Sequence, residues 1–244
     1  MDLELFLDLY LPPYHAIYIF TRKNGIPFEL RPLELGAPGG QTLEHLNPEF
    51  LKVNPAGKVP ALRDGDFLLA KSCKYQTEAH RYPPELQAHT RVDECLAWQH
   101  TATQLPGPGD KPPPLFLAQC LLPHFSQQPM DATQVEQLLG KLTPALGHLD
   151  QELLAARPFL ASGQVSLEDL MAFTELMQPS PVGCNLFRDW PQLAAWWARV
   201  EAALGPELVQ KAHRHVLQSQ DPQEAQWDPQ MAQKLAQLVK EQLR

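Results

Sequence analysis

Leu3, Leu5, Leu7 and Leu9 alternate with Glu4, Phe6, Asp8 and Tyr10. A period of two predicts a strand with one leucine face. Leu11-Pro12-Pro13 ends it. Prolines suit the first turn of a helix, and Ala16, Ile17 and Phe20 continue at helical spacing to Lys23. Asn24-Gly25 predicts a left-handed cap on that helix. Ile26 to Leu35 reads as a second strand, Gly36 to Gln41 as a loop, and Glu44 to Lys52 as a weak helix broken by proline.

Two short apolar runs follow, Val59 to Leu62 and Phe67 to Leu69, on either side of Asp64-Gly65. Asp-Gly is a strong signal for a two-residue hairpin turn, because a type I′ turn needs positive φ at both central residues. Pro60 donates no ladder hydrogen bond, which places Val59-Pro60 at the start of a strand on its loop side. Two readings stay open there. One is an ordinary hairpin entry. The other is a cis X-Pro bond that turns the Val59 amide and carbonyl outward, ready to pair with an extended peptide. The order strand, helix, strand, helix, strand, strand implies a mixed sheet: a right-handed parallel crossover followed by an antiparallel hairpin. A helix over the sheet's other face is expected next. Ala70 to Glu78 supplies only a short polar stretch without an apolar stripe.

After Tyr82-Pro83-Pro84 the pattern turns helical. Pro84 to Ala102 places Leu86, Ala88, Val92, Cys95, Leu96 and Gln99 near one face. Thr103 to Pro114 is too rich in proline and glycine for regular helix. Thr133-x-x-Glu136 is a capping box before a helix running to Leu153, which Pro144 should kink. Ser166-x-x-Asp169 is a second capping box, opening Leu167 to Met177. Asp189-Trp190-Pro191 starts a helix that Gly205 closes after Leu204, and Pro206 to Gln218 and Asp228 to Arg244 read as two more. The second part is an all-helical bundle.

Composition narrows the function classes. The chain has 244 residues, 44% hydrophobic, enough for one large or two ordinary domains. A net charge of −8 argues against a nucleic-acid or anionic-membrane surface. No apolar run is long enough to cross a bilayer, and the acidic start, Met1-Asp2-Leu3-Glu4, lacks the basic region of a signal peptide. Cys73, Cys95, Cys120 and Cys184 are widely spaced and form no zinc or CxxC pattern, as expected of reduced thiols in a cytoplasmic protein. His213-x-His215 lies on a helix, where i and i+2 point apart, so it reads as two solvated histidines and no metal site is expected. Adjacent acids such as Asp93-Glu94 read as solvated helix faces. Trp196-Trp197 reads as one core ring and one at the bundle's edge.

Leu3-Glu4-Leu5-Phe6-Leu7-Asp8-Leu9, Lys23-Asn24-Gly25-Ile26-Pro27-Phe28-Glu29-Leu30-Arg31, Lys58-Val59-Pro60-Ala61-Leu62, Leu96-Ala97-Trp98-Gln99-His100 and Glu175-Leu176-Met177-Gln178-Pro179 resemble segments of theta-class glutathione transferases. The resemblance covers nearly the whole chain. It implies a thioredoxin-like α/β N-terminal domain over residues 1–81, which binds glutathione, and an all-α helical bundle over residues 82–244. It implies conjugation of glutathione, a co-substrate, to a small electrophile, with no other cofactor, in a cytoplasmic homodimer that engages neither nucleic acid nor membrane. In the family the proline matching Pro60 is cis and the backbone matching Val59 pairs with the cysteinyl part of glutathione. Lys58 is similar to the contact for the glycine carboxylate. Ser166 and Asp169 resemble a folding motif.

The chain departs from that pattern at several places. Theta enzymes carry a serine after the first strand whose hydroxyl donates a hydrogen bond to the glutathione sulfur and favours the attacking thiolate. Leu11 stands in its place, with Tyr10 and Tyr14 nearby as substitute donors. Lys71 stands where the glutamate for the γ-glutamyl ammonium is expected, with Ser72 beside it, and about two turns of the helix after the hairpin are missing. The expected histidine after Gly40-Gln41 is Thr42. The resemblance therefore points to a divergent transferase, with a catalytically impaired binding or interaction protein of the same fold as the alternative.

Overall fold

The computed structural model describes residues 3–7, 12–33, 47–55, 57, 59–70, 85–102, 140, 142–177 and 186–214. The leucine alternation forms β1 (Leu3–Leu7), an inner strand of a four-stranded sheet. Leu3, Leu5 and Leu7 are all buried. β1 passes to α1 (Pro12–Lys23) and then to β2 (Phe28–Pro32), which runs parallel to β1 with Leu5 opposite Leu30. β3 (Ala61–Asp64) lies antiparallel on the other side of β1, with Leu5 opposite Leu62, and β4 (Phe67–Ala70) closes the edge. The order is β2-β1-β3-β4. The mixed sheet expected from the order of elements is present.

The hairpin differs from its sequence reading by one residue. Asp64 pairs with Phe67, so the two-residue loop is Gly65-Asp66 rather than Asp64-Gly65. Gly65 takes the left-handed conformation, φ 60°, that glycine adopts without steric cost. α2 (Pro48–Val53) is likewise not broken by its proline but opened by it. Pro48 sits in the first turn, and the Asn47 side chain accepts from the Glu49 amide at 2.9 Å.

α1 is buried nearly all round, from Pro12 to Thr21. A helix of that kind must be covered on both sides. The sheet covers one side, and two helices of the second part, Leu167–Leu176 and Pro206–Ala212, cover the other. Asn24 and Gly25 end it: the Asn24 side chain donates to the Phe20 carbonyl at 2.9 Å and Gly25 has φ 64°.

In the second part α3 (Leu86–Ala102) buries Val92 and Cys95, while Leu86, expected on the same face, is 77% exposed at the helix start. α4 spans 142–148 and includes Pro144. Beyond it the chain widens into a π turn, Leu149–Leu153, marked by the Leu154 amide donating to the Leu149 carbonyl at 2.9 Å. α5 (Leu167–Leu176) carries the expected capping box at Ser166 and Asp169. α6 (Pro191–Leu204) and α7 (Pro206–Ala212) follow, separated by Gly205 at φ 98°. The Thr133 capping box, the stretch after the hairpin, and the expected C-terminal helix lie outside the described residues. Among the described residues, no helix is long and apolar enough to cross a membrane.

One apolar cluster joins β1, α1, α5, α6 and α7, with Leu5, Leu7, Ile19, Phe173 and Trp196 at 0–1% exposure. Each such side chain contributes about 1.5–3 kcal/mol relative to leaving it in water. The sheet and the bundle are therefore held together by a common core.

Candidate functional site

The C-terminal end of β1 is where the chain's two distinctive connections meet. β1 runs through residues 8–11 into the first turn of α1, and Phe6 sits opposite Ala61, the first residue of β3. Val59-Pro60 enters β3 at that same end. Crevices at the carboxyl ends of strands, where the chain diverges to either side, are the usual ligand sites of open α/β sheets.

The Val59-Pro60 peptide bond is cis, as the second of the two readings of the bond requires. Its surroundings hold it from beneath. Phe50 and Val53 of α2 pack with Ala61, and Phe6, Leu33 and Val59 close around them. The rings of Phe6 and Phe50 lie 5.7 Å apart. After α2, the Asn54 amide returns to the Phe50 carbonyl at 2.8 Å and the Gly57 amide to the Asn54 carbonyl at 2.9 Å, with Gly57 at φ 59°. Pro60 is buried and Val59 half-buried. The side chains on this approach are anchored in the α2 cluster.

Tyr14 lies in the first turn of α1, 5% exposed, with its ring 5.6 Å from Tyr18 and 5.2 Å from His15. Burial, then the neighbouring Tyr18, raises its phenol to about 12, so it holds its proton throughout the biological pH range. Of the other sequence-predicted site residues, Tyr10, Leu11, Thr42, Lys58, Lys71 and Ser72 lie outside the described residues.

Charge at the sheet is arranged around Glu4. Arg63 and Arg31, from the two strands flanking β1, both donate to its carboxylate, the Arg31 contact at 3.1 Å. The Arg63 hydrogen bond, aided by that of Arg31, holds Glu4 below the usual carboxylate range against the opposing effect of burial. The alternation pattern marked Glu4 as merely the polar side of β1 and did not disclose this cluster.

His213 corrects its sequence reading. It is buried, not solvated: its ring lies 4.3 Å from that of His15 on α1, and its Nδ1 is 2.8 Å from the Val209 carbonyl. Burial lowers it to about 4, so it is neutral at physiological pH. His215 lies outside the described residues. The adjacent acids divide. Asp93 and Glu94 are solvated, as expected, and pair with His89 and Arg91 along α3. Glu168 and Asp169 are both completely buried. Trp196 is core and Trp197 lies at the edge, stacked on Phe173 at 4.0 Å. Asp150 was missed from the sequence: its carboxylate accepts from the Leu193 amide at 2.9 Å and caps α6 from 43 residues away, with no local signal. Among the described residues, no three His, Cys, Asp or Glu side chains are grouped to hold a metal.

A thioredoxin-like sheet entered by a cis proline and packed through its first helix on an all-α bundle is the architecture of the glutathione transferases. Comparison with known proteins agrees along the whole chain. The model of the glutathione S-transferase C-terminal domain matches residues 114–203. Bovine (Bos taurus) glutathione S-transferase theta-1 is 43% identical, covering 96% of either chain. Human (Homo sapiens) glutathione S-transferase theta-2 is 47% identical over 89% of this chain and 88% of its own. The solved structure of a human theta-class glutathione transferase, in complex with the glutathione conjugate of 1-menaphthyl sulfate, superimposes with a TM-score of 0.78 at 41% identity, covering 99% of this chain and 100% of that one. The chain belongs to the theta-class glutathione S-transferase family.

Proposed function

We propose that this protein is a theta-type glutathione transferase that joins glutathione to small electrophiles. The observation that carries the reading is likeness to theta-1 and theta-2 transferases over nearly the whole of both chains. In this reading residues 1–81 bind glutathione and residues 82–244 form the helical domain beside it. The Val59 backbone, presented by the cis bond to Pro60, pairs with the cysteinyl part of glutathione. Lys58 meets the glycine carboxylate, and Ser72, Thr42 and Lys71 line the rest.

The sulfur gives up its proton to solvent, and the thiolate attacks the electrophilic carbon. The new S–C bond forms as the carbon's bond to its leaving group breaks, and that group departs with the electron pair. A hydroxyl donor beside the sulfur favours thiolate over thiol. With Leu11 in the serine's place, the donors available in the sequence are Tyr14 and Tyr10. The human relative bound to a menaphthyl sulfate conjugate supports electrophiles with a sulfate or similar leaving group. The protein works as a cytoplasmic homodimer, without nucleic-acid or membrane partners and with no cofactor besides the co-substrate.

A second reading is kept by two residues. Leu11 has no donor, and Lys71 presents a cation where the family places a glutamate. These favour a protein that keeps the fold and has lost the chemistry. Glutathione consumption with a haloalkane, an epoxide and menaphthyl sulfate separates the two. Turnover with any of them supports the transferase; absence of turnover with all three rejects it and leaves the binding protein.

A further inference from the structure

Glu168 is the second residue of α5, where most first-turn acids reach water. Here it is 0% exposed, and among the described residues neither carboxyl oxygen finds a hydrogen-bond partner. Its neighbour Asp169 is equally buried but fully satisfied. One oxygen of Asp169 accepts from the Leu160 amide at 2.9 Å and the Trp196 indole at 2.7 Å; the other accepts from the Ser166 amide at 2.8 Å and the Ser166 hydroxyl at 2.7 Å. Two buried, adjacent carboxyls cannot both hold a charge cheaply. Burial raises Asp169 too, but the hydrogen bonds from Leu160, Trp196 and Ser166 oppose that rise, whereas Glu168 has no such donor among the described residues; of the two, Glu168 is the better placed to stay neutral.

α5 packs against α1, α3 and α6. α1 brings Tyr14, His15 and Tyr18 to the shared core, and α6 brings Trp196. α3 brings Cys95, a buried thiol raised to about 11 by burial and then by the Glu168 charge, with Glu94, Arg157 and Arg91 acting on it more weakly. The charge that acts on Glu168 among the described residues is that of Asp169. No cation faces it there. The N-terminus of α5 favours an anion, but by less than the desolvation that opposes one.

We propose that Glu168 is a proton-operated latch between α3 and α5: closed while its carboxyl is neutral, and opened when ionisation draws water into the first turn of α5. Burial, reinforced by Asp169, raises Glu168 from 4.5 to about 8. The sign follows. The folded protein keeps this proton while the unfolded chain gives it up, so the contribution to stability is whole below about 4.5 and is lost as pH rises through about 8. The latch therefore loosens progressively as pH rises from about 4.5, and the loosening is complete above about 8.

The test is amide hydrogen exchange of the full chain and of Glu168→Gln, whose amide matches the neutral acid in shape. Protection factors are followed from about pH 6 to about pH 9 and corrected for intrinsic rates. Amides of α3 and α5 are expected to lose protection in the wild type relative to the variant by up to about tenfold per pH unit, while β1 and α2 do not. Equal pH profiles in the two proteins would overturn the proposal. So would a parallel loss in every element, because Glu168 would then be a global stability term and not a local latch. Should Glu168→Gln fail to fold, Glu168→Met provides the uncharged reference.

Discussion

The indole of Trp196 donates to the carboxylate of Asp169 at 2.7 Å, tying α6 to the first turn of α5. The same carboxylate holds the Leu160 amide and both the amide and hydroxyl of Ser166. It is thus the joint of three segments, all buried. Substituting Asp169→Ala leaves these donors without an acceptor. The expected loss is about 3–5 kcal/mol of unfolding free energy, against about 1–3 kcal/mol for Trp196→Phe. Urea unfolding of the two variants checks this. A loss under about 1 kcal/mol for Asp169→Ala would mean the joint bears little load.

The rings of His15 and His213 pack at a tilt, 4.3 Å apart, where α1 meets α7. His213 is lowered to about 4 from 6.5 by burial, against the opposing effect of the Val209 carbonyl. Between those values the unfolded chain binds a proton that the folded protein refuses. The contribution is therefore whole above about 6.5 and is lost as pH falls toward about 4. His213→Phe keeps a ring against His15, and the Val209 carbonyl still accepts from the residue-213 amide, at 3.1 Å in the present structure. The folding constant of the wild type relative to this variant is expected to fall about tenfold per pH unit across that window. A constant ratio would contradict it.

What the sequence disclosed was local and periodic. The leucine alternation located β1, the Ser166 box located α5, and the Val59-Pro60 pair marked a loop-side strand entry. The hairpin was off by one because Asp64-Gly65 and Gly65-Asp66 both offer a glycine for positive φ, and only the pairing of Asp64 with Phe67 decides between them. His213, Glu168 and Asp150 were not legible. Each is polar and buried: His213 against the distant His15, Asp150 on the distant amide of Leu193, and Glu168 in a helix that packs on three others. An adjacent acidic pair reads as solvated until the fold shows which helix lies over it. The cis bond was legible through family likeness at Val59-Pro60, whereas Leu11 and Lys71 were visible as departures whose consequences depend on their surroundings.

Tyr14 and Leu11 give opposite expectations. If the Tyr14 hydroxyl donates to the glutathione sulfur, Tyr14→Phe should lower kcat/KM about 10²-fold or more, roughly the worth of one donor to a developing anion, while leaving the unfolding midpoint nearly unchanged. Leu11→Ser restores the family hydroxyl and should raise kcat. Conjugation kinetics with the thiol pKa of bound glutathione followed by thiolate absorbance check both. An unchanged thiol pKa in Tyr14→Phe would assign Tyr14 to packing alone.

In the proposed reading Lys71 stands where the family places the glutamate for the γ-glutamyl ammonium, and like charges in a desolvated contact cost up to several kcal/mol. Calorimetric titration of the folded protein with glutathione, with Lys71→Glu beside it, is the most direct test of the glutathione site. Binding in the micromolar-to-millimolar range, tighter in Lys71→Glu, is the expected result and would mean that the Val59 edge still receives the peptide. No heat of binding in either protein would contradict a glutathione site at Val59 and, with it, the transferase reading.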